Sequence, residues 1–186
     1  LKVPDRLAPD DLWRKLAALP FEEFLAEVKR RGGLEFLRSP WDRFVAAVVV
    51  YAVALRFVYL GVPELLFEEA YYWNYAKHLD IGYLDHPLVV AWIIRGFDEL
   101  LGNGEIAVRA GAFACWLVTA FFSWRLTRDV LGRAAASRAL ALVAVLPVFF
   151  FFGLFMSPDA PLAAAWSAAL YFMHRIVVRD DRRAWL

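Results

Sequence analysis

Residues 67–87 read FEEAYYWNYAKHLDIGYLDHP, and on either side of this stretch the chain turns apolar. The stretch holds Glu68, Glu69, Asp80 and Asp85, five tyrosine and tryptophan rings within 71–83, and two of the three histidines, His78 and His86. Tyrosine and tryptophan favour a membrane surface because each joins a ring to a polar tip. A polar, aromatic segment held between apolar runs therefore reads as a loop lying on a bilayer. From Glu68 onward the spacing is helical. Glu68, Tyr72, Tyr75 and Leu79 share one face, and Glu69, Trp73 and Ala76 a neighbouring one. Adjacent helical residues diverge by about a quarter turn, so at most one of Glu68 and Glu69 points into a given cleft.

Working outward, Ser39 and Pro40 supply an N-cap and a first-turn proline. Residues 44–62 are then apolar for about 19 positions, enough to cross a hydrocarbon core of about 30 Å. Arg56 is the interior charge of that run. It either snorkels to the interface or faces inward toward an anion. Beyond the loop, residues 88–94 are apolar but end at Arg95, which suits an interfacial or re-entrant segment. Gly102-Asn103-Gly104 marks a turn. Further spans are expected over 106–126, 134–156 and 160–178, with Ser157-Pro158-Asp159 a tight break between the last two. The expected fold is all-α: a polytopic transmembrane helical bundle with interfacial helices in a first outer loop, 63–104.

Composition agrees. The chain is 61% hydrophobic and 17% aromatic, with a mean hydropathy of +0.48, against about 45–50% apolar in soluble domains. A formal net charge of +1 gives no reason to expect a nucleic-acid partner. Cys115 is the sole cysteine, which excludes an intrachain disulfide and a thiolate metal site. Residues 1–42 carry two short amphipathic helical patterns and are read as a cytoplasmic juxtamembrane region, ahead of a transmembrane part over 43–186. No cleavable leader pattern stands at Leu1, and the chain is expected to be a piece of a longer protein.

Charge placement orients the spans. Lys29, Arg30, Arg31, Arg38 and Arg43 precede the first, Arg125, Arg128, Arg133 and Arg138 flank the second turn, and Arg175, Arg179, Arg182 and Arg183 follow the last. All three clusters fall on one side if the N-terminus is cytoplasmic. The acid-rich loop and Asp159 then share the outer face.

Carboxylates brought together there from separate parts of the chain suit general-base chemistry on a membrane-bound substrate. Arg56, Arg109, Lys77 and His86 are cations able to meet a phosphate leaving group. A divalent metal held by His78, His86 and nearby acids stays open, because their spacing matches no specific metal motif.

Four motifs in order, Glu68-Glu69-Ala70-Tyr71-Tyr72-Trp73, Gly82-Tyr83-Leu84-Asp85-His86-Pro87, Ala107-Val108-Arg109-Ala110-Gly111 and Ser157-Pro158-Asp159-Ala160-Pro161, resemble glycosyltransferase family 39. That family holds the protein O-mannosyltransferases and the aminoarabinose-to-lipid-A transferases of the membrane-embedded GT-C fold. The resemblance covers about residues 44–178. It implies transfer of a sugar, with inversion, from a polyprenyl-phosphate carrier to a lipid, glycan or protein acceptor on the outer face. It also implies a multi-pass protein of a bacterial inner membrane.

By the same resemblance Glu68 is the catalytic carboxylate, standing where the family usually has Asp, and Asp159 is the second acidic position. Asp85 and His86 fall at loop positions linked to metal or phosphate, and Arg109 near the donor phosphate. Arg56 and Tyr72 complete the expected substrate contacts, with Glu69, Lys77 and His78 supporting them. The alternative is a non-enzymatic transporter or flippase subunit for a lipid-linked sugar. Its ionisable residues would be expected near mid-membrane.

Overall fold

The computed structural model describes residues 39–181 and 184. The amphipathic patterns of the N-terminal region, with Lys29, Arg30, Arg31 and Arg38, lie outside the described residues, as do Arg182 and Arg183. The chain divides into two compact units, Leu1–Phe44 and Val45–Leu186. In the first, Ser39 Oγ accepts the Asp42 N–H at 2.9 Å. This is the side-chain cap that the Ser-Pro pair foretells.

The described residues are all helical, in seven helices. They are α1 (Pro40–Tyr59), α2 (Phe67–Lys77), α3 (Leu88–Leu101), α4 (Glu105–Leu131), α5 (Arg133–Val145), α6 (Pro147–Phe152) and α7 (Asp159–Arg179). Two of them, α4 and α7, are long and apolar enough to cross a membrane. Helix α1 has the length but carries Asp42, Arg43 and Arg56. The loop expected over 63–104 holds two helices, α2 and α3, with a polar stretch between them.

One expectation is corrected. Residues 134–156 do not form a single span: Pro147 starts a new helix after Leu146, and that helix stops at Phe152. Proline has no N–H to donate to the carbonyl of residue 143 and pushes the residue before it out of helical geometry. Leu146 accordingly has an extended backbone, with ψ 130°. An apolar window average cannot see such a break.

Helix α4 is the central post, packed along α7, α5 and α3, while α2 lies on α3. Near its start, Val108 and Ala112 join Met156 and Ala160 in one core cluster with Tyr72, Val90 and Ile94. Farther along, Trp116 and Ala120 meet Ala52, Val143 and Ala144 in a second. At its far end Arg125 donates to the Tyr171 hydroxyl at 2.9 Å, and Arg179 pairs with Asp129 at 3.4 Å. Helices α4 and α7 therefore run parallel, with α5 and α6 returning between them. The basic cluster of 125–129 and 175–179 lies at one end of this pair. Glu105 and Asp159, at the two N-termini, lie at the other, beside α2.

Small residues set the closest approaches. A Cβ on Gly111 would meet Ile93 Cγ2 at 2.4 Å, so α3 seats on α4 only because position 111 has no side chain. Gly96, on the same α3, has open space around it. Gly111→Ala is expected to cost about 1–3 kcal/mol through overpacking, whereas Gly96→Ala is neutral or stabilising by up to about 1 kcal/mol. Thermal unfolding of the two variants in detergent checks this, and equal midpoints would contradict the packing described.

Candidate functional site

The first turn of α2 and the start of α4 are joined by one ion pair. Arg109 Nη2 lies 2.8 Å from Glu69 Oε2, with both side chains buried. Arg109 Nε also donates to Glu69 Oε1, at 3.1 Å. The remaining N–H groups reach backbone carbonyls: Nη1 donates to Leu60 at 3.1 Å and Pro63 at 2.6 Å, and Nη2 to Glu64 at 2.8 Å. Every donor of the guanidinium is thus used inside the protein. Phe155 stands over it, with 5.2 Å from Cζ to the ring centre.

Glu69 is equally committed. Its Oε2 accepts the Leu66 N–H at 3.1 Å, the glutamate half of a capping box at the head of α2. Its Oε1 accepts the Met156 N–H at 3.1 Å. One carboxylate therefore ties α2, α4 and the connector ahead of α7, and has no oxygen lone pair left for a substrate. Arg109, expected beside a donor phosphate, holds this connection instead.

Glu68, one position earlier, is exposed. It faces a different neighbourhood, reported by Tyr72. That phenol is buried, with 3% of its surface exposed. Its pKa is raised, first by burial and then by the negative charges of Glu68, Asp85 and Asp159. Three carboxylates from three parts of the chain thus act on one hydroxyl. Asp159 occupies the first turn of α7 and is exposed.

Asp85 is anchored by aromatic hydroxyls. Tyr75 donates to its Oδ1 at 2.8 Å, and the Tyr71 hydroxyl lies 3.1 Å from the same oxygen. These bonds, that from Tyr75 foremost, hold the Asp85 carboxyl below the usual range. Tyr75 in turn is pushed up, chiefly by its hydrogen bond with Tyr71. At neutral pH Asp85 is therefore anionic and Tyr75 protonated. Tyr83 stacks on Tyr75 with centroids 3.9 Å apart and donates to the Tyr75 carbonyl at 3.0 Å, closing the 78–83 turn. His86 sets its ring edge against Tyr72, centroids 5.0 Å apart, with Nε2 3.7 Å from Asp85 Oδ2.

The other expected residues lie elsewhere. Lys77 pairs with buried Asp98 of α3 at 3.0 Å and sits 4.8 Å over Trp73, turned from the carboxylates. His78 ends α2 through its backbone, its N–H donating to the Tyr75 carbonyl at 3.0 Å, and is exposed. Arg56 is fully buried between Trp116 and Phe150. It does not snorkel. Among the described residues no three His, Cys, Asp or Glu side chains gather closely enough to hold a metal ion.

Sequence reasoning missed the ties made by Glu69, Asp98 and the Met156 amide. A buried acid four positions before an aromatic leaves no pattern in a single sequence. Only the partner 40 residues away gives it meaning.

Residues 85–186, more than half of the chain, match the dolichyl-phosphate-mannose-protein mannosyltransferase family. The chain belongs to that family. Its members are membrane glycosyltransferases of the GT-C type. The matched range takes in Asp85, His86, Arg109 and Asp159, and begins after Glu68 and Glu69. A stretch of 43 residues is 40% identical to the lipid A galacturonosyltransferase RgtD of Rhizobium johnstonii. That stretch is 23% of this chain and 9% of the relative, so the similarity spans a small part of a much longer protein. No solved structure matches.

Removing one partner of a buried ion pair strands the other and costs about 3–5 kcal/mol. Glu69→Met and Arg109→Met are each expected to lower the unfolding midpoint sharply, and the double variant to be less damaged than the two losses added together. Thermal unfolding of the three purified variants measures this coupling; additive losses would mean the pair is not the tie described.

Proposed function

We propose that this chain is the N-terminal catalytic part of a glycosyltransferase that moves a sugar from a polyprenyl-phosphate carrier to an acceptor hydroxyl. The observation that carries the reading is Asp85 held by the Tyr71 and Tyr75 hydroxyls beside His86, against the Tyr72 ring, whose phenol also feels the charges of Glu68 and Asp159. Family membership supplies the reaction class.

In this reading Glu68 is the general base. It is the exposed member of the Glu68–Glu69 pair, and Glu69 is occupied by Arg109. Glu68 takes the proton of the acceptor hydroxyl, whose oxygen attacks the anomeric carbon. The new glycosidic C–O bond forms as the bond from that carbon to the carrier phosphate oxygen breaks. Attack from the face opposite the phosphate inverts the centre, and polyprenyl phosphate leaves with the electron pair. Asp159 orients the acceptor, or the sugar, across the site. Tyr72, kept protonated by the surrounding negative charge, donates a hydrogen bond to a sugar or phosphate oxygen. His86, with Nε2 3.7 Å from Asp85, meets the leaving phosphate.

The site opens on the outer face of a bacterial inner membrane, with the basic cluster of 125–129 and 175–179 in the cytoplasm. The protein crosses the membrane several times. The acceptor is a lipid, glycan or protein. Similarity to a lipid A galacturonosyltransferase favours a lipid-borne glycan.

In the full-length protein Glu68→Gln is expected to reduce transfer by about 10²–10⁴-fold, the range of a general base. Because Glu68 is exposed, stability should change by no more than about 0.5 kcal/mol. Glu69→Gln should instead lower stability first. Turnover measured by mass spectrometry of the glycosylated product, with polyprenyl-phosphate sugars as donors, distinguishes them. Full activity of Glu68→Gln would remove it from the mechanism.

A further inference from the structure

Arg56 is as fully buried as Arg109 but, unlike it, has no carboxylate partner among the described residues. A guanidinium in an apolar helix is costly, and such residues persist where they do something. Its contacts say what. Nη1 donates to the Ala52 carbonyl of its own helix at 3.1 Å. Nη2 donates to the Phe149 carbonyl at 3.2 Å, across 93 residues, at the end of the broken helix α6. Cζ stands 4.0 Å from the Trp116 ring and 4.3 Å from that of Phe150. The Phe149 carbonyl also accepts the Gly153 N–H at 3.2 Å, so the guanidinium and the first residue of the connector share one acceptor.

The chain leaves α6 through Gly153, which is buried against this cation. A Cβ at 153 would lie 2.6 Å from Trp116 Cγ and 2.8 Å from Arg56 Nε. The backbone there has φ −94° and ψ 1°, open to any residue, so glycine is required for room and not for conformation. From this point the connector is tethered at each step. Phe155 N–H donates to the Phe151 carbonyl at 2.8 Å, Met156 N–H to Glu69 at 3.1 Å, and Asp159 then opens α7. Irregular backbone inside a helical bundle is tolerated where its polar groups are satisfied by protein.

We infer that Arg56, clamped with Trp116 against Gly153, is a positioning residue that sets the α6–α7 connector and through it the place of Asp159. It is not a contact for the donor phosphate. This assignment rests on the reading of Asp159 given above for its catalytic consequence, but its structural half stands apart from that reading.

The test compares Arg56→Lys and Gly153→Ala with the unaltered full-length protein. Lysine keeps the charge but cannot span two carbonyls or stack as a plane. Hydrogen exchange read on peptides covering 153–159 should be roughly tenfold faster in both variants, while peptides from 115–131 keep their protection. Unchanged exchange over 153–159 overturns the inference whatever the activity. In the transfer assay both variants should lose kcat, on the order of 100-fold for displacement by about an ångström, with the KM for the polyprenyl-phosphate donor unchanged. Each should add little to Asp159→Asn. A raised donor KM with normal kcat would make Arg56 a phosphate contact and overturn the positioning role. Faster exchange in the variants of a protein that transfers no sugar would leave the clamp standing and sink the proposed function instead.

Discussion

A carboxylate and a guanidinium shut away from water at the head of α4 constrain everything around them. Glu69 and Arg109 are each buried, and neither is tolerable there without the other. Their pairing alone would not offset the desolvation of two ions. The additional hydrogen bonds do, since the arginine also gathers the carbonyls of Leu60, Pro63 and Glu64. The glutamate meanwhile accepts the amides of Leu66 and Met156. Helix α2 is thereby anchored to the bundle at its first turn. The neighbouring face carries Glu68 and Tyr72, whose phenol feels the negative charges of Asp85 and Asp159.

The same device appears twice. Two of the non-helical stretches are braced in this way: 60–66 before α2, and 153–158 before α7. Each has a buried arginine beside it: Arg109 donates to the Leu60, Pro63 and Glu64 carbonyls of the first, and Arg56 to the Phe149 carbonyl just ahead of the second. Planar guanidinium suits this task, because its donors are fixed in direction and its faces can lie against rings. Phe155 covers one, and Trp116 and Phe150 the other. The proposed site lies beside these two braced interruptions, which set the first turns of α2 and α7 that carry Glu68 and Asp159.

Much of the architecture was legible beforehand. Hydrophobic runs located the starts of α4 and α7 to within a residue, though α4 runs on to Leu131, and the 67–87 pattern located α2, because helical spacing is a local property. The reading of 134–156 as one span failed on Pro147, whose missing N–H matters more than the average hydropathy around it. The choice between Glu68 and Glu69 was legible only as a divergence of about a quarter turn. Which of the two is locked depended on a partner 40 positions away.

Sequence by itself determined the helical, membrane-suited character of the chain and its family, and it named the candidate acids. Those follow from composition, spacing and motif order, which need no neighbour to be read. Tertiary structure alone decided that Glu69 and Arg109 are spent on each other, that Arg56 turns inward beneath Gly153, and that Asp85 is held by a pair of tyrosine hydroxyls. The reason is that burial, and the direction in which a charge finds its counter-charge, are properties of the packed chain. A residue's chemistry is written in its side chain, but its availability is set by what the fold has already placed against it.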